Sequence, residues 1–202
     1  MSKITAGLFI SLDGIIQDPQ DWHFPYFNDE MGAAVGEQLG AADTVLFGRN
    51  TYEGFAGAWP AREDAGEEDA GMAKALGDAR KIVVSHDELT FTWRNSEQLQ
   101  GDLIEGVTAL KAESTSDIGM SGSPSIVRQL LAAGLLDELH LFVHPIALNS
   151  NGLRLFAEGE PIPLRLISAQ PFETGVLHLI YGPSEPVSDQ SYDEAKAHLP
   201  RD

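Results

Sequence analysis

The chain has 202 residues, and its 13 Lys and Arg against 31 Asp and Glu give a formal net charge of −18. This length favours one domain or at most two small ones, and the acidity argues against nucleic acid and anionic membrane surfaces as partners. The absence of cysteine excludes disulfides, thiolate zinc sites, iron–sulfur ligation and a cysteine nucleophile. Met1–Ser11 lacks a signal-peptide pattern and no apolar run is long enough to cross a bilayer, so we expect a soluble, cytoplasmic protein.

Apolar runs and helical patterns alternate along the first part of the chain. The predicted elements are a strand over Ile4–Leu12, a loop over Gln17–Tyr26, a helix over Asp29–Ala42 capped by Asn28, a strand over Thr44–Phe47, and a helix opened by a capping box at Asn50-x-x-Glu53. Trp59-Pro60 is predicted to end that second helix. The acid-rich stretch Arg62–Gly71 is predicted to be a solvated loop.

The second part of the chain continues this alternation and ends in two strands. The predicted elements are a short helix over Met72–Asp78, strands over Lys81–Ser85 and Leu89–Thr92, a helix over Leu99–Ser114, a strand over Ile118–Met120, a helix from Pro124 to Gly134 capped by Ser123, a strand over Asp137–Leu148, and a hairpin of Leu164–Gln170 and Val176–Tyr181. The pattern predicts one α/β domain over residues 1–183 with a mixed, mostly parallel sheet and a C-terminal antiparallel hairpin. Residues 184–202 are predicted to form a polar tail.

Three of the predicted strands run into small or polar turns, namely Phe47–Thr51, Val84–His86 and Met120–Ser125. In a parallel sheet such turns gather at the carboxyl edge, where ligands usually bind. Glycines let the backbone approach a phosphate, helix N-termini present unpaired N–H groups, and Arg49 adds a forked donor. Each turn alone is also compatible with a tight turn or a helix start, but together they favour a nucleotide-like ligand. Neither a G-x-G-x-x-G fingerprint nor a P-loop motif is present.

Several short motifs occur along the chain in a fixed order and spacing, namely Ser11–Gly14, Leu46–Glu53, Lys81–Ser85, Met120–Ser123, Leu136–Leu141, Pro145–Leu148 and Leu155–Phe156. Together they resemble the dihydrofolate reductase-like superfamily. Within it, residues 3–182 are most similar to the reductase (C-terminal) domain of the riboflavin-biosynthesis bifunctional deaminase–reductase and its stand-alone bacterial relatives. The resemblance implies a dihydrofolate reductase-like three-layer fold, NADPH as cofactor, hydride transfer to a small heterocyclic, ribosylaminopyrimidine-like or pterin-like substrate, and a homodimer.

The resemblance also implies roles for individual positions. The cofactor-binding candidates are Gly48, Arg49, Asn50 and Thr51 at the pyrophosphate turn, Ser85 and His86 near the adenine ribose and its 2′-phosphate, Ser121, Gly122 and Ser123 under the nicotinamide, and Gly14 in the loop that closes over it. The catalytic candidates are Asp13 in that same loop and Glu30 on the first helix. The candidates for stacking on a planar substrate are Trp22, Phe24 and Tyr26. No metal site is predicted, and His140 and His144 are interpreted as packing or interface residues.

Other interpretations of these residues stay open from the sequence. Asp13 before Gly14 is also typical of a simple turn, and Glu30 in a first helical turn also complements the helix dipole. Residues 54–80 lack the Asp-Pro-x-Leu-Thr-x-Arg-like stretch of the riboflavin enzymes, so the riboflavin intermediate itself is not predicted as substrate. The alternatives to a reductase are a non-catalytic nucleotide- or ligand-binding relative of the same fold, and a dimer-forming protein that binds no ligand.

Overall fold

An eight-stranded sheet organises the part of the chain that the computed structural model describes, which is residues 2–40, 42–66, 68–156, 159–185 and 196. The strands, in chain order, are β1 (Ile4–Ser11), β2 (Ala42–Gly48), β3 (Arg80–Val84), β4 (Ser96–Gln98), β5 (Asp117–Ser121), β6 (Glu138–His144), β7 (Leu164–Pro171) and β8 (Leu177–Pro183). Their order across the sheet is β4-β3-β2-β5-β1-β6-β8-β7.

The pairing of the strands confirms the predicted mixed sheet. From β4 to β6 all neighbours are parallel, whereas β8 pairs antiparallel with both β6 and β7. Strand β1 lies near the centre, with Ala6 opposite Met120 of β5 on one side and Leu139 of β6 on the other. Because parallel neighbours need a crossover, helices follow most of these strands, whereas the irregular segment 85–95 joins β3 to β4 and the short turn between β7 and β8 makes a hairpin.

Five α-helices connect the parallel strands. They are α1 (Asp29–Gly40), α2 (Arg49–Ala65), α3 (Ala70–Asp78), α4 (Leu103–Glu113) and α5 (Pro124–Ala132). Asn28 caps α1 as predicted, because its Oδ1 accepts a hydrogen bond from the Met31 N–H at 3.1 Å. The predicted loop over Gln17–Tyr26 contains two single 3-10 turns, Pro19–Asp21 and Phe24–Tyr26.

Alternation along the strands places apolar side chains on both faces of the sheet. On one face Ile4, Ala6 and Leu8 of β1 are buried in the main core with residues of α4 and α5. On the other face Val45 and Phe47 of β2 belong to a second cluster with residues of α2 and α3. The sheet is therefore covered by helices on both sides, which is the three-layer arrangement that a parallel sheet requires.

Helix α2 corrects two of the predictions. It continues through Pro60 and ends at Gly66, whose backbone has φ 68°. Pro60 costs one backbone hydrogen bond, but the aromatic side chains before it hold the helix on the sheet, with the Phe55 ring 5.0 Å from that of Phe47. The stretch Arg62–Gly71 is accordingly not one solvated loop, since its beginning is helical and two of its acids are in ion pairs, Glu63 with Arg94 and Asp69 with Arg62.

The strand predicted over Leu89–Thr92 is also wrong. This segment is irregular, and β4 pairs with β3 at the sheet edge instead, with Ile82 opposite Glu97. The apolar side chains of this loop pack against the second cluster. The Phe91 ring lies edge-on to the Tyr52 ring, with their centroids 5.4 Å apart.

The predicted polar tail falls mainly on 186–195 and 197–202, which lie outside the described residues. Across the described ranges, the helices are all too short or too polar to cross a membrane.

Candidate active site

A cleft of about 920 Å³ lies between α1 and α2 and extends to the carboxyl edge of the sheet. Gly7 and Phe9 of β1 form part of its base, and Phe142 of β6 lies beside them. Turns that follow β1, β2 and β5 form its mouth. This is the crevice at the ends of parallel strands where ligands bind in open α/β sheets.

Two helix N-termini meet at the mouth of this cleft and are joined by Ser123. The Ser123 Oγ accepts a hydrogen bond from the Gly48 N–H at 2.7 Å and donates one to the Thr51 Oγ1 at 2.9 Å. Ser123 is the N-cap residue of α5 and Pro124 is its first residue, as predicted, but the Ser123 hydroxyl is turned to the neighbouring helix and makes no cap hydrogen bond. Ser123 therefore couples the start of α2 to the start of α5.

The close approach of these turns requires small residues. Gly122 has φ +73°, and a Cβ there would lie 3.2 Å from the Thr51 Cγ2. A Cβ on Gly48 would lie 3.1 Å from the Ser123 Oγ. The mouth is thus built largely from backbone and hydroxyl groups, which suits an anion such as a pyrophosphate. Among the predicted cofactor residues, those that line the cleft are Asn50, Thr51, Ser121, Gly122 and Ser123.

Arg49 lies next to the mouth but not in the lining, and two carboxylates hold it. Its Nε donates to the Glu53 Oε1 at 2.9 Å and its Nη1 to the Asp87 Oδ2 at 2.7 Å, and these bonds raise the pKa of the guanidinium. The predicted capping box at Asn50 is wrong, since Glu53 faces Arg49 and Gly48 is the N-cap residue. The positive charge of Arg49 is therefore already compensated within the protein.

Ser85 and His86 follow β3 on the outer side of Arg49. The Ser85 Oγ accepts from the Asp87 N–H at 3.1 Å and so shapes the turn that carries Asp87. His86 is exposed. Neither residue lines the cleft, and their predicted roles depend on a ligand that extends from the mouth across β2 towards β3.

The Asp13 carboxylate holds two loops together. It accepts hydrogen bonds from the Ser11 Oγ at 2.7 Å, the Leu148 N–H at 3.1 Å and the Asn149 N–H at 3.0 Å. The hydrogen bond from Ser11 and those from the backbone lower the pKa of Asp13 to about 2, despite some desolvation. The adjacent Gly14 has φ +85°, and neither residue lines the cleft. Their roles near the nicotinamide stay predictions.

Glu30 also makes contacts that shape the backbone. Its Oε2 accepts from the Asn28 Nδ2 at 2.9 Å and from the Glu173 N–H at 2.8 Å, which connects α1 to the turn before β8. Glu30 is outside the cleft lining. The structure therefore brings neither predicted catalytic carboxylate into the cleft, and both roles stay predictions.

The predicted stacking aromatics pack mainly against histidines. The Trp22 ring lies 5.1 Å from the buried His144 ring, edge to face, and the Tyr26 ring lies 5.6 Å from it. Phe24 is largely exposed. Trp22 lines a separate cavity of about 480 Å³ between loops, so the structure does not bring these three residues into the large cleft.

Different aromatic rings line the cleft. Phe9 and Phe142 lie 5.5 Å apart on neighbouring strands, and Phe55 and Trp59 lie 6.0 Å apart on α2. The i, i+4 spacing of Phe55 and Trp59, just after the predicted phosphate turn, places both rings on one face of α2. This spacing is a sequence signal for the wall of the cleft that α2 forms. The pairing of Phe9 with Phe142 had no sequence signal, because it depends on the register of β1 and β6.

Residues 2–178 match the family described as the RibD C-terminal domain. The chain belongs to this family. The match confirms the resemblance found in the motifs and the dihydrofolate reductase-like fold, and it places the chain among reductase-like proteins.

Individual relatives match this chain over most of its length, but their sequence identity to it is low. The "Uncharacterized protein YyaP" of Bacillus subtilis (strain 168) is 27% identical over 183 residues, which cover 89% of this chain and 94% of YyaP. A Shewanella sp. PV-4 structure provisionally named for riboflavin biosynthesis has a TM-score of 0.68 at 18% identity, covering 91% of this chain and 99% of that one. A pyrimidine reductase-like protein from Corynebacterium diphtheriae has a TM-score of 0.64 at 16% identity, covering 92% and 93%. At these identities the two structures support the fold alone.

Proposed function

We propose that this chain is a reductase that binds NADPH and reduces a small planar heterocycle of the ribosylaminopyrimidine or pterin type. The observation that carries the proposal is the meeting of two helix N-termini at the mouth of a cleft whose interior is aromatic. Such a site combines a place for a pyrophosphate with a place for flat rings.

The residues at the mouth fit a dinucleotide. The N-terminal turns of α2 and α5 direct backbone N–H groups towards an anion, and Gly122 with φ +73° leaves room that a side chain would fill. The hydroxyls of Thr51 and Ser123 and the amide of Asn50 add neutral polar contacts at this position. When bound, the nicotinamide supplies the hydride, and the chain supplies binding and orientation.

The interior of the cleft fits a planar substrate. Phe9, Phe55 and Trp59 line it as partly buried rings, with the buried Phe142 beside them, and partly accessible aromatic rings stack well on a heterocycle. Gly7 at the base of the cleft carries no side chain and leaves room for the amide of Gln38. An apolar interior also excludes water from the neighbourhood of the reacting atoms.

A second candidate function is binding without catalysis, and one observation favours it. Among the described residues that line the cleft, Asp18 provides the one carboxylate, while Asp13 and Glu30 are engaged elsewhere. A reductase of this kind therefore takes its proton from water or from Asp18. Bound NADPH that is not oxidised with any of a panel of pterins, quinazolines and ribosylaminopyrimidines would support the non-catalytic alternative.

Cofactor titration tests the proposal. We expect NADPH to raise the melting temperature of the wild-type protein, because a ligand that binds the folded state stabilises it. Stabilisation by NADH or a flavin but not by NADPH would contradict the cofactor assignment.

Two variants sharpen this test. Arg49→Ala should weaken NADPH binding more than NADH binding, because the guanidinium stands at the first position of α2, beside the mouth residue Asn50. Asp87→Asn should strengthen NADPH relative to NADH by a few fold, since it frees Arg49 from one of its two carboxylates. Arg80→Ala is the matched control, because Arg80 pairs with Glu97 at the opposite end of β3. Equal effects of the two arginine variants on both cofactors would remove Arg49 from the site.

A further inference from the structure

Gln38, near the C-terminal end of α1, is a buried polar side chain in the wall of the apolar cleft. It is 7% exposed and belongs to the cleft lining. Its neighbours in that wall, Val35 and Leu39, are hydrophobic. A buried amide in such a place must satisfy both its NH₂ group and its oxygen, or leave one of them for a ligand.

The surroundings of the amide determine which way it points. Its Nε2 lies 3.3 Å from the Thr5 carbonyl oxygen, 3.2 Å from the Thr5 Oγ1 and 3.3 Å from the Met120 carbonyl oxygen. Backbone carbonyls only accept hydrogen bonds, so the group that faces them must be the NH₂. The amide is thereby clamped between β1 and β5, and its oxygen must point the other way.

The oxygen of this clamped amide lies over the base of the cleft. The Oε1 is 2.7 Å from the position that a Cβ on Gly7 would take, so it fits there because residue 7 has no side chain. Within the described ranges, no hydrogen bond ends on this oxygen. The fully buried side-chain nitrogen and oxygen atoms that lack a hydrogen-bond partner in those ranges are His23 Nδ1, Trp93 Nε1, His144 Nε2 and Thr174 Oγ1. The Gln38 Oε1 also lacks a partner but is not one of these fully buried atoms. It is therefore accessible from the cleft that Gln38 lines.

We infer that Gln38 is a substrate-binding residue whose Oε1 accepts a hydrogen bond from a ring N–H or amino group of the ligand. The inference rests on the proposed function, because it assumes that a planar heterocycle occupies the cleft, and it adds what that heterocycle must carry. The NH₂ of Gln38 is used up by β1 and β5, so this position accepts and does not donate. The site therefore selects rings with an N–H donor over N-alkylated rings of the same shape.

A pair of probes tests this selectivity on the unaltered protein. The probes are quinazolinone, a flat bicyclic lactam with a free ring N–H, and its derivative methylated on that nitrogen. Isothermal titration should show about tenfold tighter binding of the N–H compound, as expected for one buried neutral hydrogen bond. Equal binding of the two probes, or no detectable preference, would overturn the inference.

Variants separate the oxygen from the structural role of the amide. Gln38→Met keeps the length of the side chain and removes the acceptor, so the preference for the N–H probe should vanish. Gly7→Ala keeps the amide but places a Cβ against the Oε1, and it should also lower the preference. Thr5→Val is the matched control, because it removes an acceptor of the Nε2 and leaves the Oε1 in place. A loss of preference in Thr5→Val equal to that in Gln38→Met would show a structural effect and overturn the inference.

Cofactor binding is measured separately on the same proteins. Thermal stabilisation by NADPH is recorded for the wild type and for Gln38→Met as an independent readout, because the Gln38 amide bonds to the Met120 carbonyl, one position before the mouth residue Ser121. Absence of this stabilisation in the wild type would contradict the proposed function, whereas the probe preference alone decides the role of Gln38.

Discussion

Removal of the Ser123 hydroxyl should loosen the junction between the α2 and α5 N-termini. Ser123→Ala deletes the acceptor of the Gly48 N–H and the donor to Thr51. Ser123 is 6% exposed, so water replaces these partners poorly. The change tests whether the geometry of these two turns depends on this one side chain.

The magnitude of the effect follows from the two hydrogen bonds. A buried donor left without a partner costs roughly 1–3 kcal/mol, and the second bond contributes about 1 kcal/mol. Partial access of water to Gly48 reduces the sum, so we expect a loss of about 2 kcal/mol in the free energy of unfolding. For a chain of this length that loss lowers the melting temperature by roughly 4–8 °C. Ser123→Gly should cost about 1 kcal/mol less, because Ser123 has φ 62° and glycine adopts this conformation without strain.

Urea unfolding followed by tryptophan fluorescence measures these differences. Thr51→Val is the control, because it removes the acceptor of the second bond and leaves the bond from Gly48 intact. It should therefore be less destabilising than Ser123→Ala. A Ser123→Ala protein within about 0.5 kcal/mol of the wild type, which is the usual range for surface changes, would refute the reasoning. NADPH should also bind this variant more weakly, since the two turns lose their shared contact.

Two further predictions concern the other half of the sheet. The His178 ring stacks on the Phe142 ring with their centroids 4.5 Å apart, and its Nε2 lies 3.1 Å from the His140 Nδ1. Burial, and to a smaller extent the charge of His140, lowers the pKa of His178 from 6.5 to about 4. Because this pKa is lower in the folded than in the unfolded protein, the contribution of the neutral His178 ring to the free energy of unfolding is complete above pH 6.5 and is lost as the pH falls towards 4. Urea midpoints that do not change between these two pH values would contradict this prediction. We also propose a homodimer through the edge strand β7, whose Leu166 and Ile167 are 54% and 43% exposed. Light scattering should then show a dimer that Leu166→Lys converts to a monomer, and a monomeric wild type would disprove it.

Much of the fold is encoded in local patterns. Alternating apolar residues predict β1 and β6, and the cap at Asn28 depends on residues one to three positions away. The turn at Gly48-Arg49 is recognisable because a buried strand ends in a glycine just before a helix. These features need no distant partner, so the sequence alone determined them, together with the family and the position of the turns at the carboxyl edge of the sheet.

Tertiary structure decided the features whose partners are far apart in the chain. Pro60 stays inside α2 because aromatic packing on the sheet outweighs one lost hydrogen bond. The hydroxyl of Ser123 bonds to the Gly48 N–H, 75 positions away in the chain, instead of to the first turn of its own helix. Arg49 likewise has a partner that is distant in the chain, because Asp87, in the turn after β3, compensates its charge.

The interior of the cleft shows this difference most clearly. No local pattern distinguishes Gln38 from any other polar residue of α1, and its proposed role follows from the positions of Thr5, Gly7 and Met120 on two neighbouring strands. Local sequence therefore determined where the cleft opens. The register of the sheet decided which side chains line its interior, because that register alone brings residues from distant segments within hydrogen-bonding distance.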